Sequence, residues 1–154
     1  YSIDGLTVRP VPKRMEVWLG GHAPAALRRT GRVADGWLPS FITPADAADM
    51  RLVIEASARE NDRSIDADHF GVLIPYSFTG VPDTVLARLA KRRPDLDPNT
   101  LVPTTWKSLH DLIQRFIDVG TTKFVMLPLS EPADIPAWKL HLGEAAETLL
   151  PLEN

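Results

Sequence analysis

Four short apolar runs, each followed by a stretch with helical periodicity, constrain this chain more than any other feature of it. The runs are Met15 to Leu19, a second opening at Asp35-Gly36-Trp37-Leu38, a third from His69 to Phe78, and Lys123 to Leu127. Runs this short fit buried strands, and the stretches between them are long enough for helices. Strand and helix in alternation predict βα units around a parallel sheet, an α/β fold. A complete eight-unit barrel takes about 250 residues, so a chain of this length has room for about half of one. An open doubly wound sheet of four or five strands fits the length equally well.

Local signals place the helices. Pro24 suits a first helical position, and the segment to Ala34 puts Ala26, Leu27, Thr30, Val33 and Ala34 on one face. Thr43-Pro44-Ala45-Asp46 joins a capping hydroxyl, a proline in the first turn and an acid three residues after the cap. Ala47, Met50, Ile54 and Ala58 then recur at helical spacing, with Asn61 as the expected terminator. Further helices are predicted over 83–92, over 106–119 with Gly120 closing it, and over 137–150. Pro75 should lie near the end of the third strand, because proline cannot donate to a sheet ladder. Residues 1–14, with Pro10-Val11-Pro12, read as a lead-in connector to a single domain, and 94–105 as a surface excursion.

Composition excludes several classes of function. The chain has 154 residues, 44% apolar and 24% charged, enough for one core. A net charge of -3 with scattered Lys and Arg provides no basic stripe for nucleic acid. No apolar run reaches the roughly 20 residues of a membrane span, and the first residues lack the regions of a signal peptide, so the expected location is the cytoplasm. Without cysteine there is no thiolate nucleophile or iron-sulfur cluster, and any redox chemistry needs an organic cofactor.

The stretch from Val17 to Ser40, VWLGGHAPAALRRTGRVADGWLPS, carries the most chemical information. Gly20 and Gly21 remove side chains where a strand hands over to a helix, which allows close backbone approach to a ligand. The helix that follows lacks a side-chain cap, since Ala23 stands before Pro24 and cannot accept from the amides of Ala25 and Ala26. An anion such as phosphate would satisfy them, helped by the helix N-terminus and by His22 as a donor. Water capping a merely tight turn is the alternative.

These same residues carry a resemblance. Pro-x-Pro, VWLGG and AALRRTGRVADGW look like the luciferase-like monooxygenase superfamily, barrels that use FMN or the deazaflavin coenzyme F420. Downstream, Arg115 to Val125 is similar to the family's helix, turn and last barrel strand, and Arg92 to Pro98 resembles a connector of a deazaflavin-using branch. Glu60-Asn61-Asp62-Arg63 departs from the more usual Ala-Gly-Arg-Asp ending of its helix. The resemblance implies the C-terminal half of a (β/α)8 barrel. The strand ending at Leu19 would be the fifth, and those ending near Pro39, Tyr76 and Pro128 the sixth to eighth. It also implies that the turn at Gly20, Gly21, His22 and Ala23 holds the cofactor phosphate.

Other candidates carry less. Trp37 could pack near a flavin ring or a neighbouring subunit, though a Trp after Asp-Gly at a strand start is more often a core anchor. Arg28, Arg29 and Arg32 suit a solvated face with ion pairs to Asp35 or Glu16. His69, His110 and His141 show no metal-ligand spacing, so no metal is expected. Tyr76, Ser77 and Ser40 fall at C-terminal strand ends, where they could line a substrate pocket. No residue in the sequence can be given an acid-base role. Two readings follow. One is the cofactor-phosphate half of a flavin- or deazaflavin-dependent oxidoreductase acting on a small molecule, inactive alone and completed by an N-terminal half or a second copy. The other is a noncatalytic half barrel that self-associates or only binds ligand.

Overall fold

The computed structural model describes residues 4, 5, 9–11 and 13–153. Four strands form, β1 (Trp18–Leu19), β2 (Gly36–Trp37), β3 (Gly71–Tyr76) and β4 (Lys123–Pro128). Five helices accompany them, α1 (Pro24–Val33), α2 (Pro44–Arg59), α3 (Asp83–Arg92), α4 (Trp106–Asp118) and α5 (Ile135–Leu149). β1 pairs with β2 and β3 with β4, both in parallel. Parallel bridges from Trp37 to Phe70 and from Ser40 to Leu73 join the two pairs. The strands therefore run in sequence order, all in one direction, as expected of consecutive βα units. β1 and β4 are the outer strands, with no neighbour on their far sides among the described residues.

The core lies between this sheet and the helices behind it. Val72, Ile74 and Tyr76 of β3 meet Leu109, Leu112, Ile113 and Phe116 of α4 in one buried cluster. α1 packs on α2 through Gly31, where an added Cβ would stand 2.3 Å from the Ile54 carbonyl oxygen. Leu27, Thr30 and Ala34 are buried as expected, but Val33 is 53% exposed. The apolar spacing assigned Val33 to the core, whereas the small Gly31 is what lets the two helices touch.

Helix ends follow local chemistry. The Thr43 hydroxyl accepts from the Asp46 amide at 3.1 Å and the Asp46 carboxylate accepts from the Thr43 amide at 2.8 Å, the reciprocal cap the sequence predicts. α2 ends at Arg59 with Glu60 as its C-cap, close to where the sequence places its end. Asp62, not Asn61, takes the left-handed backbone, at φ 53°, while the Asn61 side-chain amide donates to the Ser57 carbonyl at 2.8 Å. Gly120, at φ 86°, closes α4. The first strand is shorter than the apolar run suggests: Met15 and Val17 stay exposed at 75% and 43% on the unpaired edge.

The segment 94–105 is only partly the surface excursion its composition suggests. Pro94, Asp95, Asp97, Asn99 and Thr100 are exposed, but Leu101 and Val102 are buried with Leu89 of α3 in a second small core. Phe41, Val81, Val85, Leu96 and Leu129 pack against it. Phe41 follows β2, Val81 follows β3 and Leu129 follows β4, so this cluster sits over the C-terminal ends of the strands. The lead-in 1–14 lies partly outside the described residues, including Pro12. No helix among the described residues is long and apolar enough to cross a membrane.

Candidate cofactor site

At the C-terminal end of β1 the chain turns sharply into α1. Gly20 lies against the neighbouring strand, where an added Cβ would stand 3.0 Å from the Leu38 carbonyl oxygen. Its small size thus serves sheet packing, a different reason from the ligand approach inferred from the sequence. Gly21 has φ 94°, a conformation that disfavours any side chain. The Trp37 indole N–H donates to the Gly21 carbonyl at 3.0 Å and so pins the turn to β2. Trp37 itself is 2% exposed and belongs to the main core. Of the two roles weighed for it, it fills that of anchor, supporting the turn from beneath.

α1 begins without a side-chain cap and with no acid in its first turn. The Ala23 carbonyl accepts from the amides of Ala26 and Leu27 at 2.8 and 3.0 Å, so Ala26 is satisfied by the turn itself, contrary to the expectation from the sequence. The amides of Gly21, His22, Ala23 and Ala25 donate to no acceptor among the described residues. Gly21, Ala23 and Ala25 are exposed and His22 is half-buried. A Ser, Thr or Asp cap here would add about 1 kcal/mol to helix stability. What stands instead is a run of unpaired donors at the positive end of a helix, chemistry suited to an anion.

A charged clasp forms at the end of α3. Arg93, at the end of α3, donates to Asp46 at 2.7 Å, to Asp95 at 2.7 and 3.1 Å, and to the Phe41 carbonyl at 3.4 Å. The Asp95 and Asp46 partners hold the guanidinium firmly protonated. Partial burial pushes the Asp46 carboxyl up, but bonds from Arg93 and Thr43 outweigh it and hold the group below the usual carboxylate range. Arg93 likewise lowers Asp95, and His22 is near enough to act on it as well. Sequence reasoning missed this clasp. Its partners are 47 residues apart, and the only available signal was the density of charge in Arg92 to Asp97.

Several other candidates face elsewhere. The Tyr76 hydroxyl meets His141 Nε2 at 2.6 Å inside an aromatic group with Phe78, Trp106 and Trp138, on the helix side of the sheet. Burial raises the phenol of Tyr76 above its ordinary value. The Ser77 hydroxyl donates to the Gly80 carbonyl at 2.6 Å and is buried. Tyr76 and Ser77 are thus committed to packing, while Ser40 remains half-buried at the β2 end. Arg28, Arg29 and Arg32 are exposed, and Asp35 pairs with Arg14 instead.

The opposite end of the sheet gathers Asp66, Asp68 and His69, whose ligand-type atoms lie within 4.8 Å of one another. The sequence did not flag this grouping. His69 Nδ1 is 2.8 Å from the Asp35 carbonyl, and Lys123 Nζ donates to Asp68 Oδ2 at 3.0 Å. Asp68 and His69 are thus already engaged with protein partners.

The profile of the luciferase-like monooxygenase family matches residues 1–97. The chain belongs to that family. Among solved structures, it is similar to the coenzyme F420-dependent tetrahydromethanopterin reductase of Methanopyrus kandleri, with 18% identity and a TM-score of 0.58 over 91% of this chain and 51% of that one. An F420-dependent secondary alcohol dehydrogenase gives 13% identity and a TM-score of 0.67 over the whole of this chain and 54% of that one. The monooxygenase RslO1 from Streptomyces bottropensis gives 14% identity and a TM-score of 0.53 over 96% and 50%. At these identities the likeness is one of fold, and the chain spans about half the length of each structure. No curated protein matches it.

Proposed function

We propose that the chain supplies the cofactor-phosphate site of a flavin- or deazaflavin-dependent oxidoreductase of the luciferase-like type. In this reading β1 to β4 are strands five to eight of a (β/α)8 barrel, and a complementary half pairs with the bare edges of β1 and β4. Unpaired parallel edges support it, since natural sheets seldom leave them uncovered. So does the exposure of Val125 and Leu127 on β4, at 42% and 44%.

The observation that carries the reading is the run of open amides at Gly21, His22, Ala23 and Ala25 above an uncapped helix. A dianionic phosphate would satisfy them: the helix end carries partial positive charge, and no carboxylate stands in the first turn to repel it. Gly21 gives the turn its shape, Trp37 fixes it, and His22 adds a side-chain donor at its rim. When bound, the flavin or deazaflavin supplies hydride transfer or oxygen activation on a small-molecule substrate. This chain's part is to bind and orient; no acid-base group within it is assigned.

FMN is one candidate cofactor and deazaflavin F420 the other, with two of the similar structures belonging to F420-dependent enzymes. Fluorescence titration of the chain with each, with and without a polypeptide carrying the first four strands, tests the reading. Saturable binding of one of them is expected. Absence of binding by both, with the complementary half present, would sink it.

A further inference from the structure

Behind the outer strand β4, on the helix side of the sheet, the chain leaves a groove of about 510 Å³. That size falls within the usual span of small-molecule sites, about 300–1,000 Å³. Ile113 and Ile117 of α4, Phe124 and Met126 of β4, and Leu149 and Leu152 around the end of α5 supply its apolar walls. Thr121, in the turn between α4 and β4, also lines the groove and is only 6% exposed. Its amide donates to the Phe116 carbonyl at 3.0 Å, which fixes the residue in place. Its hydroxyl meets no partner among the described residues, whereas the hydroxyl of the next residue, Thr122, donates to the Asp68 carbonyl at 2.9 Å. No fully sealed side-chain atom among the described residues lacks a partner, so the Thr121 hydroxyl keeps an opening, and the groove is the space it lines. A hydroxyl this deep costs stability when nothing pairs with it, and valine, of the same shape, would avoid that cost.

We propose that this groove binds an uncharged, mainly apolar small molecule whose hydroxyl or carbonyl pairs with Thr121. Among the described residues, the one ionisable side chain lining it is Glu153, which is exposed and repels anions. A cation would have to leave water for aliphatic walls. The site is separate from the proposed cofactor turn: Thr121 precedes β4, at the opposite end of the parallel sheet from Gly21, and the groove faces the helices. It also differs from the surface a complementary half would cover. Val125 and Leu127 point to the other face of the sheet by strand alternation, whereas the groove's walls all come from this chain.

The probes are naphthol and naphthalene, which differ by one hydroxyl, titrated into the full chain with methyl NMR as the readout. Wild type should bind naphthol saturably and naphthalene more weakly, with shifts at the methyls of Ile113, Ile117 and Met126 and none at Val125 and Leu127. Thr121→Val should lower naphthol affinity about fivefold, the worth of one hydrogen bond, and leave naphthalene affinity unchanged. Thr121→Ser, which keeps the hydroxyl, should bind naphthol more tightly than Thr121→Val. Met126→Trp, which fills the groove, should block both probes; the near-isosteric Thr121→Val carries the test if that larger change unfolds the chain. Adding a polypeptide that carries the first four strands of the proposed barrel should leave naphthol binding intact. Failure of wild type to bind naphthol, equal naphthol affinity in wild type and Thr121→Val, shifts centred on Val125 and Leu127, or loss of binding when the polypeptide is added would each overturn the proposal. None of these outcomes depends on whether FMN or F420 binds.

Discussion

The two ends of the sheet handle polar groups in opposite ways. At the N-terminal end, charges close on one another. Arg14 and the Val17 amide meet Asp35, Lys123 meets Asp68, and His69 is fixed to the Asp35 carbonyl. The Val17 amide, then Arg14, hold the Asp35 carboxyl below its usual range, and Lys123 does the same for Asp68. At the C-terminal end of β1, four backbone donors find no acceptor among the described residues. A network of paired charges holds a structure together but has little left to offer a ligand, whereas unpaired backbone donors are ready for one.

Substitutions should separate these ends. Gly21→Val forces a branched side chain into a backbone at φ 94° and pushes it toward Ala26 Cβ, 3.3 Å from an ideal Cβ position. Displacing two amides worth about 1–1.5 kcal/mol each should weaken FMN or F420 binding on the order of 100-fold in a titration. Trp37→Phe keeps the ring's bulk in part but removes the donor to Gly21, so affinity should fall about tenfold with about 1 kcal/mol of stability lost in denaturant unfolding.

Asp46→Asn removes one half of a capping box and the anion facing Arg93, and should cost about 1–2 kcal/mol at neutral pH. The folded pKa of Asp46 is depressed. Its contribution is therefore present above the unfolded value, near 3.9, and is lost as pH falls through the folded one. Unfolding curves of wild type and Asp46→Asn should accordingly converge below about pH 4. Smallest of all, Asp68→Asn at the charge-paired end should leave cofactor affinity unchanged within error and alter stability only slightly, because its partner Lys123 is 45% exposed. A large loss of binding in Asp68→Asn would erase the contrast between the ends.

The legible parts of this fold are those governed by near neighbours in the chain. Thr43 to Asp46 announces a helix start because both halves of its cap lie within four residues, and Gly120 marks a stop for the same reason. The Gly20-Gly21 turn was visible too, but the two glycines proved to serve different ends. Gly20 answers to Leu38 across the sheet, a contact periodicity does not encode. Val33 faces solvent while Gly31 makes the contact with α2, because helix packing depends on which face comes closest, not on hydrophobicity alone. The buried Leu101-Val102 pair was hidden in a polar, proline-rich segment, since contacts with Leu89, Phe41, Val81 and Leu129, distant in sequence, draw it inward. The Arg93 clasp was invisible, being formed by groups some 50 residues apart.

Amide NMR of the 15N-labelled chain, mixed with a polypeptide carrying the first four strands of the proposed barrel and titrated with FMN and then F420, reads the open donors one by one. The largest shifts with one of these cofactors should fall on Gly21, His22, Ala23 and Ala25, with Asp35 and His69 unmoved. Saturable binding that shifts amides elsewhere and leaves those four in place would contradict the phosphate site.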